Sequence, residues 1–203
     1  MKAKILIGCA VFLVAGALAV SPVSAGSGWY VGIATGSTSV DLNVADFDDG
    51  GITSGEVDDG GIGWKVFGGY QIIKYLAVEG GFTDLNEVTF DGISDGTGLL
   101  YAAGPVSSVF DVNGSFVNVV GILPITPMFA VIGKVGILNW DGDFTLVDTV
   151  DAITGSDDGS DPMYSFGVEI LPSAKCTLRA EYELYSEVFD EDVDRVSASL
   201  LIR

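Results

Sequence analysis

Hydrophobic and polar residues alternate along most of the chain after residue 25, which is the pattern of β-strands with two different faces. The alternation is clearest near the C-terminus, where polar residues occupy every second position of residues 176–185. The polar positions are Thr177, Arg179, Glu181 and Glu183, and the apolar ones are Leu178, Ala180, Tyr182 and Leu184. A helix would repeat every 3.6 residues, so a strand is predicted here.

Eight such runs are bounded by Gly, Pro, Asp or Asn, and each is about as long as a tilted strand that crosses a membrane. They are residues 29–40, 62–71, 76–90, 115–123, 128–141, 163–171, 176–189 and 195–203. The longest apolar stretch, 119–138, contains Pro124 and Pro127, which would break a helix. We therefore predict an all-β fold, an eight-stranded antiparallel up-and-down transmembrane β-barrel.

The connections between these runs alternate in length. Short turns are predicted at 72–75, 124–127 and 172–175, and longer loops at 41–61, 91–114, 142–162 and 190–194. Short turns on one side and long loops on the other are typical of outer-membrane barrels. The second loop contains apolar residues at 99–103 and 106–110, which either extend the strands above the membrane or form an extra hairpin.

The first 25 residues have the features of a cleavable signal peptide. Lys2 and Lys4 precede an apolar run over 5–20, and small residues at 23–25 offer a cleavage site. We predict a signal peptide at 1–25, export, and a barrel domain at 26–203. Cleavage would remove Cys9, so Cys176 would have no partner for an internal disulfide.

Alternation defines two strand faces but leaves open which one points outward. The polar face mixes opposite charges with Gly and Ser, which suits a narrow interior, and the apolar face carries large aliphatic and aromatic residues. Lys134 is predicted inside, because a lysine near the middle of the lipid costs roughly 2–4 kcal/mol. The alternative is a soluble periplasmic barrel that binds an apolar ligand, with the apolar face turned inward.

Acidic residues are concentrated in the long loops. The chain has 28 Asp and Glu against 9 Lys and Arg, for a net charge of −19, which argues against nucleic-acid binding. Carboxylates are the ligands that calcium prefers, although no complete EF-hand motif is present. Candidate cation ligands in the loops are Asp46, Asp48, Asp49, Asp157, Asp158 and Asp161. The alternatives are a solvated acidic surface and divalent cations that bridge these carboxylates to lipopolysaccharide phosphates.

Ordered short segments of the chain resemble the OmpA-like transmembrane domain and related small outer-membrane β-barrels. They include GWYVG at 28–32, FGGYQ at 67–71, VEGGF at 78–82, GKVG at 133–136 and LRAEY at 178–182. The resemblance implies an outer-membrane location and a charge network inside the barrel. The network residues are Lys65, from the strand alternation, and Glu79, Lys134, Glu169, Arg179 and Glu181, from matching family positions.

Two departures from the family are visible. The family's lysine on the fourth strand is replaced here by Val120 or Asn118. Family barrels usually finish on an aromatic residue that the barrel-assembly machinery recognises, whereas this sequence finishes on Arg203. The partners implied are therefore outer-membrane lipid, lipopolysaccharide and the barrel-assembly machinery.

No catalytic motif is evident. The chain has no histidine, which the known enzymes of this barrel type use, and no cofactor is expected. Glu181 and Glu183 share a strand face and could form a carboxylate pair, but ion pairs inside the barrel are the preferred interpretation. The predicted function is a structural or surface-interaction role without enzymatic activity, with a narrow pore for ions or small solutes as an added option.

Overall fold

The computed structural model describes residues 28–40, 44–48, 50–58, 60–99, 101–173, 175–188 and 191–203. The predicted signal peptide, residues 1–25, lies outside the described residues and stays a prediction. No helix in the described part of the chain is long and apolar enough to cross a membrane.

Antiparallel strands form a closed ring. They are β1 Gly28–Val40, β2 Ile52–Asp58, β3 Gly61–Ile73, β4 Leu76–Ser94, β5 Gly104–Thr126, β6 Phe129–Val147, β7 Ala152–Ser173, β8 Cys176–Val188 and β9 Glu191–Ile202. The ring runs from β1 through β3 to β9, which pairs back onto β1. Because β2 pairs with the upper part of β4 and continues the line of β3, the barrel wall has eight strands. The predicted eight-stranded barrel is confirmed.

The apolar strand face points away from the barrel axis. Trp29, Phe166 and Leu178 are 77%, 65% and 48% exposed, whereas Arg179 and Glu169 are buried. Trp29 packs on Tyr70 with ring centroids 5.0 Å apart, near the end of the barrel that carries the short turns. A surface of this kind suits acyl chains with an aromatic girdle at the interface. The soluble-barrel alternative required the apolar face inside and is wrong.

Two of the predicted long loops are β-hairpins instead. The β4–β5 pairing continues to Ser94 opposite Gly104, and the β6–β7 pairing continues to Val147 opposite Ala152. The boundaries at 91–114 and 142–162 were therefore wrong, because runs of Asp, Gly and Ser, which have low strand propensity, obscured the alternation. Apolar residues 106–110 extend β5 rather than forming an extra hairpin.

Above the membrane, part of the wall continues as a five-stranded sheet. We call it the outer sheet; it comprises residues 52–58, 87–94, 104–112, 141–147 and 152–162. It begins at a β-bulge between Asp84 and Glu87, where Asn86 has a φ of 77°, a conformation that asparagine tolerates better than most residues. The strands β1, β8 and β9 end near its base, at Val40, Val188 and Glu191.

The outer sheet has a small hydrophobic core on its inner face. Phe90, Tyr101 and Val106 are buried there, and a 3-10 turn at Val44–Phe47 packs over them. The rings of Phe47 and Phe90 stack in parallel with centroids 4.5 Å apart. This apolar packing explains why the segments beyond the ends of β1 and β8 fold as strands rather than as solvated loops.

Candidate functional site

Among the residues that the structure describes, eight charged side chains are buried inside the barrel, in the space that we call the bore. They are Lys65, Lys134, Arg179 and Arg195 with Glu79, Glu169, Glu181 and Glu183. Each lies on the inward face of its strand, because inward and outward positions alternate along every strand. Four cations and four carboxylates balance in charge, as burial of ionised groups requires.

Arg179 forms the centre of the layer nearer the short turns. Its Nη2 and Nε donate to Glu169 Oε1 at 2.7 and 2.9 Å, and its Nη1 donates to Glu79 Oε1 at 2.7 Å. The planar guanidinium fork therefore joins two carboxylates from different walls at once. Because β8, β7 and β4 carry these residues, the contacts tie together both sides of the bore.

Lys134 completes this turn-side layer. Its Nζ lies 2.7 Å from Glu79 Oε2 and 2.7 Å from Glu181 Oε1. The ring of Phe67 lies below both cations, 5.6 Å from Lys134 Nζ and 5.7 Å from Arg179 Cζ. The hydroxyl of Tyr30 donates to Glu79 at 2.8 Å, so the carboxylates also receive neutral hydrogen bonds.

A second layer lies nearer the loops. Lys65 Nζ donates to Glu183 Oε2 at 2.6 Å, and Ser197 Oγ donates to Glu183 Oε1 at 2.7 Å. The hydroxyl of Tyr185 also donates to Glu183. Arg195 is opposite Glu183 in the β8–β9 ladder and donates to Thr83 at 2.8 Å. This loop-side layer carries two cations for one carboxylate.

The structure places all six predicted network residues in the bore, and five of them meet in the turn-side layer. The predicted network did not include Arg195 or Glu183, although both occupy the inward parity of their strands and Glu183 was expected inside the barrel. Glu181 and Glu183 do not form a carboxylate pair, since each lies against its own lysine. What the network does for the cell stays a prediction.

Glycines make room for the large rings in the bore. A Cβ on Gly69 would lie 2.3 Å from Tyr30 Cζ, and a Cβ on Gly32 would lie 2.3 Å from Phe67 Cζ. These distances are too short for any side chain. The small residues on the polar strand face are therefore a packing requirement of Tyr30 and Phe67.

The family's lysine position, on the fourth predicted run and therefore on β5, is occupied by a neutral side chain. Asn118 is opposite Glu79 in the β4–β5 ladder and is 1% exposed, and neither polar atom of its side chain has a partner. Arg195 Nε and Nη2 also have none. Buried polar atoms of this kind are commonly bonded to ordered water in proteins.

The predicted loop cation ligands are not gathered into one site. Asp49 and the side chain of Asp46 lie outside the described residues. The Asp48 carboxylate accepts hydrogen bonds from the backbone amides of Gly50 and Ile52. The Asp161 carboxylate accepts one from the indole Nε1 of Trp140 at 2.6 Å. Among the described residues no three acidic or thiol side chains are placed to hold a metal ion. Cation binding by the loops stays a prediction.

The outward face of the outer sheet carries many carboxylates and no basic side chains to balance them. It carries Glu56, Asp58, Glu87, Asp91, Asp111, Asp141, Asp143 and Asp158. No lysine or arginine occurs in its strands. The pKa of Asp111 is raised by partial burial and by the neighbouring carboxylates of Asp84 and Asp143. The described extracellular surface is thus strongly negative.

Comparison with known proteins identifies the family to which this barrel belongs. The family model of the OmpA-like transmembrane domain matches residues 24–200. Among solved structures, the attachment invasion locus protein Ail of Yersinia pestis is 15% identical, with a TM-score of 0.52 over 87% of this chain and 96% of that chain. Neisserial surface protein A is 12% identical, with a TM-score of 0.54 over 87% of this chain and 98% of that chain. A search of curated proteins gave no significant match. The chain belongs to the OmpA-like transmembrane domain family and is a β-barrel of the outer membrane.

Proposed function

We propose that this barrel is closed to bulk solute and acts through its extracellular surface, in membrane structure and in surface interaction. The observation that carries the proposal is the filling of the bore by two layers of paired charges. Every charged side chain in these layers is at most 6% exposed. Eight-stranded barrels are narrow enough for side chains to fill them.

The turn-side layer is difficult to open. Arg179 and Lys134 between them contact three carboxylates at 2.7 Å. Removing one partner of a buried ion pair typically costs about 3–5 kcal/mol, because the other charge stays buried without compensation. A steady aqueous path would require several such contacts to separate together, which favours a closed resting state.

The outer sheet supports a role at the cell surface. It rises beyond the membrane with its own core around Phe90, so its strands present a fixed rather than a flexible surface. Ail was solved in complex with sucrose octasulfate, a heparin analogue and therefore a polyanion. The outer sheet here lacks lysine and arginine and would repel a polyanion. We therefore propose cationic rather than polyanionic partners.

A minor pore is the second candidate, and the unpartnered atoms of Asn118 and Arg195 favour it. Water at these positions would lie beside Glu79 in the turn-side layer and beside Arg195 in the loop-side layer. Small ions could then leak whenever an ion pair opened, and the acidic extracellular surface would enrich cations at the entrance.

The proposal also includes the route to the membrane. Residues 1–25 would direct export, the barrel-assembly machinery would insert the barrel, and the apolar strand face would then contact lipid and lipopolysaccharide. Divalent cations would bridge the acidic outer surface to lipopolysaccharide phosphates. No catalytic step is part of the proposed role.

Planar-bilayer recordings of the purified barrel test the two candidates directly. We expect no sustained current over a range of voltages and salt concentrations. A reproducible cation-selective current would overturn the closed-barrel proposal in favour of the pore. Arg179→Met serves as the comparison, since a current that appears in this variant alone would show that the turn-side layer closes the wild-type barrel.

A further inference from the structure

The outer sheet ends on β7 in an edge that no described strand covers. Residues 152–162 pair with β6, from Ala152 opposite Val147 to Pro162 opposite Ile137. Pairing of β7 with β8 begins only at Met163, opposite Tyr185. We call residues 152–162 the β7 edge. An edge of this length is a template for one more strand.

Every second backbone N–H group on the β7 edge points away from β6. The amides of Ala152 and Asp158 donate to the carboxylates of the residues before them, Asp151 at 2.8 Å and Asp157 at 2.9 Å. In an antiparallel ladder, alternate residues direct their N–H and C=O groups to opposite sides. The amides with the same parity as Ala152 and Asp158 are Thr154, Ser156 and Ser160, and they face the open side.

The local sequence gives this strand little support of its own. Gly, Ser and Asp make up most of residues 154–161, and these residue types are depleted in strands. Pairing with β6 on one side therefore holds the segment extended. A second ladder on the open side would satisfy its remaining backbone groups and rigidify it.

Charge selects the occupant of the edge. Asp157, Asp158 and Asp161 lie along it, and no lysine or arginine occurs between residues 135 and 174. A second copy of this chain would bring carboxylates against carboxylates, which is destabilising between paired strands. A strand with basic side chains would instead complement them.

An apolar contact is available at the tip of the edge. A pocket of about 40 Å³ lies beside the turn of the β6–β7 hairpin. It is lined by Tyr101, Leu146, Val147 and Ile153 together with Asp148 and Asp151. Its volume suits a small aliphatic group. The incoming strand would therefore combine basic residues with small apolar ones.

We propose that the β7 edge accepts one further β-strand from an extended basic polypeptide that also carries small aliphatic side chains. The inference rests on the proposed surface role and specifies its partner class. Main-chain hydrogen bonds to the edge give the attachment, and the three carboxylates give the preference for a cationic strand.

The test uses the whole barrel in lipid nanodiscs and a ten-residue peptide of alternating lysine and valine. Hydrogen exchange is followed with and without the peptide. We expect slowing of about tenfold or more at Thr154, Ser156 and Ser160 when the peptide saturates the protein. A peptide with N-methyl groups at alternate residues keeps the charge but loses donors, and it should give no protection.

Two variants separate hydrogen bonding from charge. Ser156→Pro removes an outward amide and leaves the β6 ladder intact, so it should abolish binding while β6 amides stay protected. Asp157→Asn with Asp158→Asn should weaken binding about tenfold. The matched control, Asp141→Asn with Asp143→Asn, removes the same charge from β6 and should change binding only about twofold.

Each contrary result overturns the edge proposal. Equal binding of the N-methylated peptide would mean charge attraction without strand addition. Self-association through residues 152–162 would mean that a second copy is the occupant, and failure of the lysine–valine peptide to bind would remove the basic strand. None of these outcomes bears on the closed bore, which the bilayer recordings test separately.

Discussion

Arg179 and Glu79 are one hundred positions apart in the sequence and meet at 2.7 Å inside the bore. They lie on β8 and β4, which are not neighbours in the ring, so this contact spans the barrel rather than joining adjacent strands. Hydrogen-bonded ladders connect each strand to the next one. The Arg179–Glu79 contact adds a cross-brace that the ladders cannot provide.

Loss of the guanidinium should destabilise the barrel strongly. Arg179→Met leaves Glu79, Glu169 and Glu181 with Lys134 as their nearest cation in the turn-side layer. We expect the free energy of unfolding, measured by urea titration in detergent, to fall by about 3–5 kcal/mol. Adding Glu169→Gln removes one unpaired carboxylate and should restore about 1–2 kcal/mol. A double variant less stable than the single one would contradict this account.

A single methyl group added next to the ring of Tyr30 should lower the stability of the barrel. Gly69→Ala places its Cβ 2.3 Å from Tyr30 Cζ and displaces the ring from Glu79. We expect a loss of about 1–3 kcal/mol in the same titration. Gly68→Ala is the matched control, since its nearest neighbour is 3.9 Å from the new Cβ. Equal effects of the two substitutions would show that Tyr30 does not need the space.

The extracellular core should be separable from the barrel. Phe90→Ala removes a wholly buried ring that stacks on Phe47. We expect a local loss of about 3–5 kcal/mol, seen as faster proteolysis within residues 87–112. The heat-shifted gel mobility of the unboiled barrel should not change. Ile93→Ala, at a half-exposed position on the same strand, should leave both readouts as in the wild type.

Acid should loosen the tip of the β6–β7 hairpin. Backbone amides of Ala102, Asp151 and Val150 hold the pKa of Asp148 below its usual value of 3.8. Stabilisation by Asp148 is therefore present above pH 3.8, declines below it and is lost once the pH falls below the lowered folded pKa. The protection factor of the Ala102 amide, the ratio of the exchange rate of an unfolded peptide to its own rate at the same pH, should fall over that acidic range. Asp148→Asn should remove the pH dependence, and an unchanged pH response in this variant would assign it to other carboxylates.

Strand alternation predicted the strands of the barrel, and the mix of opposite charges with Gly and Ser on the polar face indicated that this face points inward. Arg179 and Glu181 could be placed inside because Leu178 and Tyr182 occupy the opposite parity. The partners across the bore could not be derived in this way, since β-strand parity says nothing about which distant strands meet. The ring closure had to be known before Glu79 could be assigned to Arg179.

Extracellular strands were missed for a different reason. Segments such as 152–162 consist largely of residues with low strand propensity, and their extended form depends on pairing with β6. Val106 and Phe144 lie in paired strands, although both fall within the predicted loops 91–114 and 142–162. In these segments the pairing with a neighbouring strand, and not the local composition, determines the extended conformation.

The uninterrupted course of β5 has a mechanical consequence. The strand runs for 23 residues, a contour of roughly 75 Å, from the outer sheet to the short turn at the other end. Its neighbours β4 and β6 are bonded to it over most of that length. Force applied at the tip of the outer sheet would act along these ladders in shear and would be transmitted to the end of the barrel that carries the short turns. The wall formed by β2 and β3 is interrupted near Gly60, so we expect it to separate first.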